Sequence, residues 1–123
     1  IEQHIHGANG SDVMDCSEKA LSNIAKALTQ DGVTNWCPTT MTMSKQTIVK
    51  ALRTIANKKR NVNEAKIVGI NLEGPFISKE KKGAQDPKYI LKPNPKDLNN
   101  FIKASKNKIK ITIIIKIIES AKP

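Results

Sequence analysis

The chain has only two histidines, His4 and His6, and they stand two residues apart near its start. In an extended strand, residues i and i+2 project from the same face, so this pair would present two imidazoles side by side. Imidazole is the commonest protein ligand for metal ions, and two on one face begin a site for zinc or a similar divalent ion. Chance also places such a pair on an exposed strand end, and spacing alone does not separate the two readings. Glu73 offers a third donor. It ends the run Ile70-Asn71-Leu72 that reads as a third strand and precedes Gly74-Pro75, a sharp exit from a strand. A glutamate at such a place is otherwise an ordinary solvated loop carboxylate. If both strands belong to one parallel α/β barrel, the three side chains meet at the C-terminal strand ends, where such barrels gather their chemistry. Two nitrogens and a carboxylate oxygen then form a partial shell for a divalent ion.

The other reactive side chains read as scaffold. Asp12, Asp15 and Asp31 fall in a loop, a cap and a helix end. Met14, Met41 and Met43 read as packing residues. Cys37 reads as a small buried residue, since a nucleophilic thiol needs a partner histidine and both histidines are better placed on a metal.

The elements that must position these groups alternate. Ile1 to His6 reads as a first strand ending at the turn signal Gly7-Ala8-Asn9-Gly10. Asp15 with Glu18 has the spacing of a capping box, and Leu21, Ile24 and Leu28 then share one helical face that Gly32 closes. Val33 to Pro38 reads as a second strand. Ser44 can cap a helix bearing Ile48, Leu52 and Ile55, with Lys58-Lys59-Arg60 at its negative pole. Ala65 to Leu72 reads as a third strand by its β-branched content. Residues 74 to 96, rich in Pro and Gly, read as a long loop, a kind usually functional or disordered. Asp97 to Lys106 reads as a third helix with Leu98, Phe101 and Ile102 inward, and Lys110 to Ile118 as a fourth strand. Four strands alternating with three helices imply a parallel α/β architecture. At 123 residues, the chain is about half of the roughly 250 that a (β/α)₈ barrel takes.

Composition narrows the function classes. The net charge is +10, from 21 basic and 11 acidic residues, which on its own suits an anionic partner. Only Arg53 and Arg60 among the basic residues are arginine, and the aromatics are limited to Trp36, Phe76, Tyr89 and Phe101. A nucleic-acid module more often sets arginine and stacking aromatics beside its lysines, so the surplus reads as a lysine-rich solvated surface and no nucleic-acid partner is expected. Two cysteines without C-x-x-C spacing suit a reducing, cytoplasmic setting. No run reaches the roughly 20 apolar residues of a membrane span, so no membrane partner is expected.

Several segments together resemble one family. Ile1-Glu2-Gln3-His4-Ile5-His6-Gly7 with Gly10-Ser11-Asp12-Val13-Met14-Asp15 is similar to the first-strand signature of the N-acetylglucosamine-6-phosphate deacetylases, of the amidohydrolase superfamily. Gly32-Val33-Thr34 and Pro38-Thr39-Thr40-Met41-Thr42 resemble the second-strand segment. Gly69 to Ser78, then Lys82-Gly83-Ala84-Gln85-Asp86-Pro87, resemble the third strand and the loop after it. The resemblance implies the N-terminal half of a (β/α)₈ TIM-type barrel, incomplete, with residues 1–123 as strands 1 to 4 and their helices. It implies a hydrolase that removes acetate from N-acetylglucosamine 6-phosphate with metal-activated water. His4, His6 and Glu73 would be metal ligands, for zinc or another divalent ion, one or two per intact enzyme. Ala84 and Gln85 fall on the family's substrate-contacting dipeptide. A homodimer is implied for the intact enzyme.

The sequence also departs from the family pattern. Asn71 stands where the family has histidine, and Ile113 to Glu119 lacks the proline expected before a glutamate. The catalytic aspartate is expected beyond Pro123, so the chain alone is expected to be an inactive fragment. Two other readings stand beside this one, a deacetylase of another hexosamine phosphate and a non-catalytic metal- or anion-binding domain.

Overall fold

The computed structural model describes residues 1–113. Within them a layer of short parallel strands packs against three helices. Strand β1 (Glu2–Ile5) leads into a small antiparallel hairpin, β2 (Gly7–Ala8) with β3 (Ser11–Asp12), and a single 3₁₀ turn over Val13–Asp15. Helix α1 (Glu18–Gln30), β4 (Asn35–Pro38), α2 (Lys45–Asn57), β5 (Lys66–Ile67), β6 (Ile70–Glu73), α3 (Pro95–Ala104) and β7 (Ile109–Ile113) follow. The pairs β1–β4, β4–β5 and β6–β7 are all parallel, and a Thr39–Asn71 bridge joins the end of β4 to β6. Chain order and spatial order therefore coincide, as in successive βαβ units.

Sequence patterning accounts for most of this. Leu21, Ile24, Ala25 and Leu28 of α1 and Ile48, Ala51, Leu52 and Ile55 of α2 are buried on the predicted faces. They enclose Trp36, which is fully buried and donates its indole N–H to the Ala65 carbonyl at 3.2 Å. Burial of each large aliphatic side chain stabilises the fold by about 1.5–3 kcal/mol. Ser44 caps α2 as expected, accepting from the Thr47 N–H.

Local chemistry differs from the expectation in five places. The cap of α1 is Ser17, whereas the reciprocal capping box is Asp12 with Asp15 on the 3₁₀ turn, one turn earlier. Residues 65–72 do not form one uniform strand. The Val68 N–H donates to Trp36 and the Ile70 N–H to Lys108, so the backbone hands its hydrogen bonds from β4 to the far neighbour at Gly69. A Cβ at Gly69 would lie 2.5 Å from Lys110 Cγ, so close approach of β7 requires glycine there. The third helix begins earlier than expected, because Asn94 caps it and Pro95 occupies its first turn. Phe101 is its buried residue, while Ile102 remains partly exposed. Lys58, read as a charge at the negative pole of α2, is instead buried against Glu64 at 2.8 Å. The segment Ile114–Ile118 and Glu119 lie outside the described residues.

The long loop after β6 is tied down at several points. Phe76, Ile77, Ser78 and Gln85 are buried, and Phe76 packs on Phe101 of α3 with ring centroids 6.2 Å apart. The Leu91 N–H donates to the Pro75 carbonyl at 2.9 Å. Lys45 of α2 pairs with Asp97 of α3 at 3.0 Å.

Candidate metal centre

His4 lies on β1, His6 just past its end, and Glu73 closes β6. The fold sets them against one another although 69 residues separate His4 from Glu73. His4 Nε2 lies 2.9 Å and His6 Nε2 2.7 Å from Glu73 Oε2, and the two nitrogens are 3.1 Å apart. The expected donors thus converge on one point, partly open to solvent, with side-chain exposures of 48%, 30% and 19%.

The tautomer of His6 follows from its other contact. Its Nδ1 is 3.1 Å from the Thr39 carbonyl oxygen. A carbonyl only accepts, so Nδ1 carries a proton, and in the neutral ring Nε2 then turns its lone pair toward Glu73 and His4. Three such atoms at 2.7–3.1 Å are held together by a shared proton, such as an Nε2–H of His4, or by a metal ion. Donors bound to one tetrahedral zinc stand roughly 3.3 Å apart, given bonds of about 2.0–2.1 Å. Rotations of about half an ångström at the ring tips would reach that spacing. Donor type, convergence and tautomer therefore all fit a divalent cation.

Beneath the cluster lies a buried polar floor. Thr39, Thr40, Thr42 and Asn71 are all at most 3% exposed. Asn71 donates from Nδ2 to the Gln3 carbonyl at 3.1 Å, across β4 from its own strand. Its Oδ1 has no hydrogen-bond partner among the described residues, nor do the hydroxyls of Thr40 and Thr42. Gly74, at a φ of +75°, passes so close to Thr42 that a Cβ would overlap the threonine hydroxyl. This keeps the turn after Glu73 tight against the strand ends.

The loop residues Ala84 and Gln85 have different fates. Ala84 is exposed. Gln85 is buried and its side chain is engaged, with Oε1 accepting from the Thr42 N–H at 2.7 Å and Nε2 lying 3.2 Å from Met41 Sδ. The carboxamide thus pins the loop to the segment after β4. Asp12 and Asp15 cap the 3₁₀ turn, where the sequence suggested a loop and the cap of the first helix, and Asp31 ends α1 as expected. Burial raises the thiol pKa of both free cysteines, Cys16 and Cys37, against a nucleophilic role.

Sequence reasoning assigned no role to Thr39, which contacts both histidine-bearing and glutamate-bearing segments. Its sequence signals were its place directly after a strand and within the Pro38 to Thr42 segment that resembles the family's.

No protein-family model matches the chain. Among curated proteins it is similar to N-acetylgalactosamine-6-phosphate deacetylase of Escherichia coli, at 33% identity over 115 residues, covering 93% of this chain and 30% of that protein. It is also similar to N-acetylglucosamine-6-phosphate deacetylase of Lysinibacillus sphaericus, at 35% identity over 111 residues, covering 89% and 29%. Its fold matches the N-acetyl-D-glucosamine-6-phosphate deacetylase of Mycobacterium smegmatis solved with N-acetyl-D-glucosamine-6-phosphate. That match has a TM-score of 0.84 and 21% identity, over 93% of this chain and 29% of that one. The chain spans about three-tenths of the length of the curated relatives it matches. Within that span, the curated homologues and structural neighbours of this chain include N-acetylglucosamine-6-phosphate deacetylases.

Proposed function

We propose that this chain supplies the metal-holding strand ends of an enzyme that hydrolyses the acetamide of N-acetylglucosamine 6-phosphate, releasing acetate. The observation that carries this reading is the convergence of His4, His6 and Glu73 on one point. The strand order suits the first half of a (β/α)₈ barrel, with residues 1–123 as one partial unit and the site at its C-terminal rim. A bound divalent ion, zinc by donor type, would polarise the acetamide carbonyl and lower the pKa of a bound water.

The chain's own residues have simpler tasks. Glu73 contributes negative charge that holds the cation, and His6 offers a lone pair of fixed direction. His4 completes the face from the more exposed side. Gln85 anchors the loop so that exposed Ala84 stands at its surface, where its backbone can meet a sugar. The proton-transferring aspartate would come from a part of the enzyme outside these residues. A reducing, cytoplasmic setting suits two free cysteines, and a homodimer is the assembly proposed for the intact enzyme.

A second substrate reading has a specific basis, because one similar protein is named for the galactosamine isomer. The test is acetate release by the full-length protein from both hexosamine 6-phosphates, with and without Glu73→Gln. We expect hydrolysis of at least one isomer and its loss in E73Q, and the ratio of kcat/KM values then names the substrate. Undiminished hydrolysis by E73Q would remove the proposed centre from the reaction.

A further inference from the structure

We infer that Thr39 is the positioning residue of this centre, setting both the tautomer of His6 and the place of the histidine pair through its own hydrogen bonds. The inference deepens the proposed metal site and rests on it for its metal-binding readout alone.

The argument begins with an irregularity. Against β4, Glu2 pairs with Trp36 and Ile5 with Pro38. Three steps along β1 therefore match two along β4, the signature of a bulge, which re-aims side chains and interrupts the ladder. The interruption falls on the stretch that carries His4. Beyond it, the Ile5 N–H donates to a side chain, Thr39 Oγ1, at 3.0 Å. The same hydroxyl donates to the Cys37 carbonyl at 3.2 Å, so its proton and one lone pair are both used.

The backbone of Thr39 engages the same segment from both sides. Its N–H donates to the Ile5 carbonyl at 2.9 Å, and its carbonyl accepts from His6 Nδ1 at 3.1 Å. It also forms the bridge to Asn71 on β6, two residues before Glu73. One fully buried residue thus bonds to the histidine-bearing segment at three points and lies paired beside the glutamate-bearing strand, where the neighbouring Thr40 N–H donates to the Asn71 carbonyl. Partners that orient a ligand histidine through its second nitrogen tune metal affinity without touching the metal.

A valine at this position keeps the shape and removes the acceptor, leaving the partly buried Ile5 N–H without that partner beside the histidines. Serine keeps the hydroxyl. The test uses the full-length protein as wild type, T39V and T39S, with Co²⁺ as the probe, read by its ligand-field absorption and titrated for affinity. We expect T39V to bind Co²⁺ at least about tenfold more weakly, with an altered band, and T39S to stay near wild type. Equal affinity of T39V and wild type would overturn the inference, and so would a T39S loss as large as that of T39V.

Histidine-labelled wild-type protein supplies a readout that does not depend on the folding of the Thr39 variants. Its ¹⁵N spectrum, with His6 assigned through H6A, should show a protonated and hydrogen-bonded Nδ1. A bare Nδ1 would overturn the inference. Failure of wild type to bind Co²⁺ would instead sink the metal reading, while the ring tautomer still decides the role of Thr39.

Discussion

Two clusters of ionisable groups in this molecule contain similar atoms and differ in how completely they satisfy themselves. In the segment between α2 and β5, Lys58 and Glu64 form an ion pair of 2.8 Å with side-chain exposures of only 5% and 2%. Glu64 also accepts from the Asn61 N–H at 2.9 Å and from Asn61 Nδ2 at 3.1 Å, while Arg60 Nε donates to its carbonyl. Each acceptor there faces a donor. At the strand ends, by contrast, Glu73 Oε2 faces two imidazole nitrogens, one of which turns a lone pair toward it. The first cluster is complete and has nothing left to bind. The second is electrically incomplete and open to solvent, which is what a ligand site requires.

Ionic character alone therefore identifies neither cluster as functional. Burial also fails to single out the site, because the more deeply buried pair is the structural one. Unmet bonding capacity is the property that separates them.

The contrast is sharpest under metal. In full-length protein, saturating Zn²⁺ should raise the melting temperature through preferential binding to the native state, worth about 2.7 kcal/mol at a hundredfold excess over Kd. In H6A that rise should vanish, while the metal-free melting temperature stays within a few degrees of wild type. An undiminished Zn²⁺-dependent rise in H6A would remove His6 from the centre.

Lys58→Met should act in the opposite way. It leaves Glu64 buried without its cation and should destabilise by about 3–5 kcal/mol, with Zn²⁺ affinity unchanged. Urea denaturation would measure the first effect and titration the second. A loss under about 1 kcal/mol would mean that Asn61 alone satisfies the carboxylate.

Acid offers a gentler test. Burial alone would raise the Glu64 pKa, but the hydrogen bonds from the Asn61 backbone, Lys58, Ser22 and the Asn61 side chain outweigh it and hold the carboxyl at about 2, against an ordinary 4.5. A depressed folded-state pKa stabilises above the unfolded value and loses that contribution as pH falls through the folded one. The window is therefore from about pH 5 down to 2, with up to about 3 kcal/mol at stake. The stability difference between wild type and E64Q should shrink across that window. A constant difference would show that Glu64 keeps its proton state throughout.

Much of this arrangement was legible in the chain itself. The apolar faces of α1 and α2 were readable because their period of 3.6 residues shows in any single helix. Ser44 and Gly32 marked boundaries by local chemistry. The candidate donors His4, His6 and Glu73 were readable because ligand chemistry resides in residue type, and the strand-end motifs carried the family resemblance. Tertiary structure decided the rest, since each remaining feature depends on a neighbour remote in sequence. Gly69 divides a strand because Lys110 approaches it, and Lys58 turns inward because Glu64 waits there unprotonated. Gln85 becomes a strut because the Thr42 N–H lies within reach, and Thr39 a hub because β1 bulges beside it. Local periodicity and residue chemistry are carried by adjacent side chains, whereas the partner of a buried polar group is set only when distant segments close on one another.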